Sequence, residues 1–110
     1  MAISIEALQW IVRVNDTSMN ELWNNVQRFI PCSDHDAVET VFEHHACVLS
    51  IRDCLALCSE YSDDDDRPQI IKEPQIIDRL RRHYRDVNFE SALAKAHADL
   101  AEGDDFARRN

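Results

Sequence analysis

Three cysteines at helical spacing, Cys47, Cys54 and Cys58, run straight into four aspartates, Asp63, Asp64, Asp65 and Asp66, in the segment ACVLSIRDCLALCSEYSDDDD. Thiols placed this way can ligate zinc, exchange electrons or simply pack. At 100° per residue the three fall within about 40° of one another on a helix. Zinc needs three or four Cys or His ligands converging at ~2.0–2.3 Å. Cys32 and His44 are further candidates, but the chain has no Cys-x2-Cys knuckle and no second compact pair. A bridge between Cys54 and Cys58 is disfavoured, because side chains on one helix rarely meet disulfide geometry. Free cysteine is among the most buried residue types and packs like a small hydrophobe. The three thiols are therefore expected to be core filler, with a Cys/His zinc-binding module as an alternative.

Two histidine clusters also have catalytic residue types: Asp34-His35-Asp36 and Glu43-His44-His45. A His-Asp pair is a feature of metal phosphohydrolases, but that chemistry takes further His and Asp ligands, and no histidine precedes His35. The zinc-protease pattern His-Glu-x-x-His is absent, as are a Walker loop and a dinucleotide fingerprint. The first cluster reads as a solvated helix start. In the second, His45 is expected to face the core and His44 to flank it. The reading is of a protein that is not an enzyme and carries no cofactor.

Charge is the clearest functional hint. The net charge of −9 is uneven: residues 1–66 hold thirteen acidic and three basic residues, whereas residues 67–110 hold eight and nine. The first part disfavours nonspecific attraction to nucleic acid or an anionic membrane and would draw a basic partner surface. Its candidate contacts are Glu39, Glu43 and Asp63 to Asp66. The second part places Arg79, Arg81, Arg82 and Arg85 off an apolar stripe formed by Ile76, Leu80 and Tyr84. Arginine forks suit phosphates, carboxylates or the molecule's own aspartates.

The elements that must position these groups are helical. A single glycine, Gly103, leaves little for hairpins or phosphate-cradling loops. The fold class expected is all-α: one domain, 1–110, built as a compact bundle of about five helices around a long central helix, 34–60. Ser4 caps a first helix ending near Val14, and NDTS breaks it. Ser18 and Glu21 then open a second as a capping box, with Met19, Leu22, Trp23, Val26 and Ile30 inward and Pro31 at its end. Ser33 starts the third helix. Its first half is amphipathic through Val38, Val41 and Phe42, and its second half is apolar nearly all round, the pattern of a buried helix. An acidic loop, 62–68, follows, and the copy of PQII beginning at Pro68 is extended. A fourth helix opens at Pro74. Asn88 caps a fifth, Gly103 stops it, and a tail, 104–110, frays.

No apolar stretch approaches the ~18 residues of a membrane span, and no export leader is evident. A cytoplasmic location is expected. Trp10 is the better contact candidate among the aromatics and Trp23 a core residue, while Ile70 and Ile71 could seal a homodimer. By exclusion, the chain is expected to bind and inhibit or regulate a partner protein with a basic surface. A bacterial or phage inhibitor or adaptor, an anti-CRISPR-like nucleic-acid mimic and a toxin-neutralising protein all fit. The alternative is a nucleic-acid-binding regulator using the arginine-rich helix, 74–85, although overall charge opposes it.

Overall fold

The structure, a computed structural model, describes residues 2–29, 35–60 and 70–109. The fold is all-α: four helices and a two-stranded antiparallel ribbon. In chain order these are β1 (Ala2–Ser4), α1 (Ile5–Gln27), α2 (His35–Glu60), β2 (Ile70–Lys72), α3 (Glu73–His83) and α4 (Phe89–Arg109). Ser4 caps α1 as expected, its hydroxyl accepting from the Ala7 amide at 3.1 Å. Ile30, Pro31, Cys32, Ser33 and Asp34, together with Tyr61, the aspartates 63–66 and Pro68, lie outside the described residues.

The expected break at NDTS does not occur. One helix of 23 residues carries the chain through Asn15-Asp16-Thr17-Ser18. Asn and Asp break helices when their side chains turn back on the local backbone. Here both reach other elements instead. Asn15 is buried and donates to Ser50 Oγ on α2 at 3.3 Å. Asp16 accepts from the Tyr84 hydroxyl just past α3 at 2.9 Å. Ser18 is exposed in mid-helix and caps nothing. Two expected helices are therefore one, and the described residues hold four.

α2 packs against α1, α3, α4 and β1. Asn15 faces Ser50, while Trp23, two turns further along α1, meets Phe42, two turns back along α2. The two helices therefore run antiparallel. The second half of α2 is buried on more than one side: Ala46, Cys47, Val48, Ile51, Cys54 and Cys58 join Ile3, Leu8, Ile11, Ile71, Ile76, Leu80, Phe89, Ala92 and Ala96 in one core. Fully burying a side chain the size of Ile51 contributes about 1.5–3 kcal/mol. The first half of α2 is much less covered: Ala37 and Val41 are exposed, and Val38 and Phe42 only half-buried. His45 is exposed and His44 half-buried, the reverse of the expected pair. The core is reached one residue later, at Ala46.

The ribbon was not anticipated beyond the extended run ending at Ile71. Ile3 pairs with Ile71, and both are buried. Ile71 is thus spent inside the fold and is not available to seal a homodimer. α3 opens as expected, with Pro74 in its first turn and the Lys72 amide donating to Gln75 Oε1 at 3.1 Å. Asn88 caps α4, its Oδ1 accepting from the Ser91 amide at 3.3 Å. Gly103 does not stop α4, which continues to Arg109. Glycine ends a helix where the chain must turn left-handed; here the helix runs straight on. Among the described residues no helix is long and apolar enough to cross a membrane.

Candidate functional site

A chain of hydrogen bonds ties the three elements that meet beside α1. Tyr84 has one hydroxyl hydrogen, and the acceptor-only carboxylate of Asp16 takes it at 2.9 Å. The 2.7 Å contact between Ser50 and Tyr84 must then be donated by Ser50. Asn15 donates in turn to Ser50, and its second contact is Asp53 Oδ2 at 3.4 Å. His83 completes the set, its Nε2 donating to Asp16 Oδ2 at 2.9 Å. The Asn15–Ser50–Tyr84 relay and the His83 ring both donate toward Asp16, and Asn15 also reaches Asp53. Ser50 is fully buried and its hydroxyl is engaged, so it is out of reach of any substrate. Burial holds the Tyr84 hydroxyl well above its ordinary pKa, with the Asp16 charge acting in the same direction and the Ser50 bond against it. The network is structural at its inner end. At its outer end, Asp16 and His83 form a wall between two clefts.

The first cleft lies between α1, the exposed half of α2 and the turn after α3, with a volume of about 260 Å³. Its walls carry four carboxylates, Asp16, Glu39, Glu43 and Asp86, and the aromatic rings of Trp23, Phe42 and Tyr84. Trp23 and Phe42 meet edge to face, centroids 5.6 Å apart. No Lys or Arg is among the residues lining it. Partial burial, and then the neighbouring charges of Glu39, Asp86 and Asp16, push the Glu43 carboxyl above its ordinary pKa.

The second cleft lies between α1 and α3 and measures about 750 Å³. Leu8, Val12 and Leu80 give it apolar surface, and Arg13, Arg79 and Arg82 surround that surface. Two clefts of opposite charge therefore sit back to back on the Asp16–His83 pair.

These placements divide the residues singled out from the sequence. Glu39 and Glu43 come together, in the first cleft; Asp63, Asp64, Asp65 and Asp66 lie outside the described residues. Arg79 and Arg82 come together in the second cleft. Arg81 does not join them: it bonds Asp78 at 3.2 Å and Glu90 at 3.0 Å, and its guanidinium lies over the Phe89 ring. Arg85 is exposed and lines neither cleft. Trp10 is exposed, and Trp23, expected in the core, is a half-buried cleft wall.

The thiols are interior. Cys47, Cys54 and Cys58 are each fully buried, and burial pushes Cys47 and Cys54 up to about 12. Cys58 is raised as well, by burial and then by the charge of Glu73. Thiols held so far above neutrality are poor nucleophiles and poor metal ligands. Among the described residues no group of three His, Cys, Asp or Glu side chains is placed to hold a metal ion.

Sequence inspection missed Asn15, Asp16, His83 and Asp86. A signal for the first was present: Leu8, Ile11, Asn15, Met19 and Trp23 continue one stripe at three- and four-residue steps across NDTS. A polar residue on an unbroken apolar stripe marks a buried hydrogen bond as well as it marks a break. No protein-family model, curated protein or solved structure matches the chain.

Proposed function

We propose that this chain is a non-enzymatic binder that inhibits or regulates a partner protein by taking a Lys or Arg side chain of that partner into the acidic cleft. The observation that carries the reading is the cleft's wall chemistry: four carboxylates and three aromatic rings, with no cation of the chain's own among the lining residues. Aromatic faces attract a desolvated cation, and carboxylates hold its N–H groups by charge-assisted bonds. Size narrows the choice of ligand. At about 260 Å³ the cleft is smaller than the ~300–1,000 Å³ of pockets that take drug-sized molecules. It suits one long side chain better than a cofactor. The net charge of −9 would speed encounter with a basic surface. Blocking the basic groove of a nucleic-acid-binding effector, or neutralising a toxin, falls within this class.

A peptide of alternating Arg and Gly tests the proposal, with Trp23 fluorescence read in a Trp10→Phe background. A saturable change is expected, weakened about 10-fold or more by Glu39→Gln/Glu43→Gln and by raised salt. Glu6→Gln, which removes an exposed carboxylate on α1 outside the cleft, should leave it unchanged. Equal weakening by Glu6→Gln would reduce the effect to net charge and sink the proposal.

A further inference from the structure

The cleft between α1 and α3 has the opposite chemistry and is not used by the function proposed above. Arg13 comes from α1, and Arg79 and Arg82 from α3, so the cleft forms only when the two helices pack. Among the described residues none of these three guanidiniums has an ion pair or side-chain hydrogen bond, whereas Arg81, on the same helix, has two carboxylate partners and Arg52 pairs with Asp99 at 3.7 Å. The carboxylate in the cleft, Asp16, is already engaged by His83 and Tyr84. Three guanidiniums against one carboxylate leave an excess of two positive charges, counting His83 as neutral. Beneath them lie Leu8 and Leu80, both buried, and the half-buried Val12. A volume of about 750 Å³ is within the ~300–1,000 Å³ range of small-molecule sites.

We infer that this cleft binds a small organic phosphate, a phosphomonoester on an apolar body. The dianionic head matches the two excess charges, and guanidinium forks grip phosphate oxygens in pairs. The apolar body lies along the half-buried Val12, over a floor closed by Leu8 and Leu80. An inorganic anion would leave that surface unused, and a purely apolar ligand would leave the arginines unpaired.

The test is a titration with 2-naphthyl phosphate followed by amide chemical shifts. 2-Naphthol, inorganic phosphate and a short oligothymidylate serve as comparison ligands. Saturable shifts are expected at Val12, Arg13, Arg79 and Leu80, with the ester binding at least about 10-fold tighter than either of its halves. Arg79→Ala and Arg82→Ala should each weaken the ester about 10-fold or more, while Arg85→Ala should not. All three positions are exposed, so the variants keep the fold. The assignment is overturned if the ester gives no saturable shift, or if Arg85→Ala weakens it as much as Arg79→Ala. Tighter binding of oligothymidylate than of the ester would also overturn it, making the arginines a nucleic-acid surface. The Arg-Gly peptide titration reads the other cleft, so either result can fail without the other.

Discussion

The hydroxyl of Tyr84 is the joint between a sealed interior and an open surface. It accepts from the fully buried Ser50 and donates to Asp16, which faces both clefts. Tyr84→Phe keeps the ring and removes both bonds, leaving the Ser50 hydroxyl without its acceptor in a site closed to water. Stranding a buried donor costs about 1–3 kcal/mol. Urea unfolding should show a lower midpoint with an unchanged slope, the mark of lost stability rather than an altered unfolded state. An unchanged midpoint would mean that the bond contributes nothing. The same residue shows why the site was hard to read from the chain. Tyr84 was legible as an inward-facing position on an apolar stripe, and its ring is inward. Its hydroxyl partners are 34 and 68 residues away in sequence, and no local pattern encodes such a pairing.

At the level of elements, the chain announces its helix starts better than its helix continuations. Ser4 and Asn88 are caps in the structure because a short side chain there meets an amide three residues on, a geometry that depends only on local sequence. NDTS and Gly103 present the same residue types inside helices, where distant contacts or plain continuity decide the outcome. Ser18 separates the two cases. At a helix start, Ser18→Ala would cost about 1 kcal/mol. In the middle of α1, exposed and uncapped, it should stabilise by a few tenths of a kcal/mol, because alanine has the higher helix propensity. The sign of the shift in thermal midpoint decides between them. His44 and His45 mark another limit: periodicity places a face only to within about one residue, 100° of helix turn, and the core begins at Ala46.

Across the whole molecule, the charge asymmetry visible in the chain becomes two clefts on neighbouring faces. The fold class was legible because one glycine and long unbroken amphipathic runs leave little but helices. The clefts were not, since the first is lined from α1, α2 and the turn after α3, and only packing brings Asp16, Glu43 and Asp86 together. Crowding them works against folding. The Glu43 carboxyl is raised in the folded state by partial burial and by Glu39, Asp86 and Asp16. The folded chain therefore holds that proton more tightly than the unfolded chain. The stability this contributes is complete below the ordinary carboxylate pKa and is lost as pH rises through the raised value. Glu43→Gln should accordingly raise the thermal midpoint at pH 7, and the gain should shrink toward zero near about pH 4. A gain that persists undiminished in acid would show that the charge is not its origin.

The Asp16–His83 pair is a partition with a different tenant's door on each side. A guest drawn to the carboxylate and a guest drawn to the cationic side would both lean on the same two side chains. Whatever the first occupant does to the grip on the second must be returned in equal measure. A chain of this size would then hold, in one hydrogen-bonded pair, the means for a small molecule to set how firmly a protein is held.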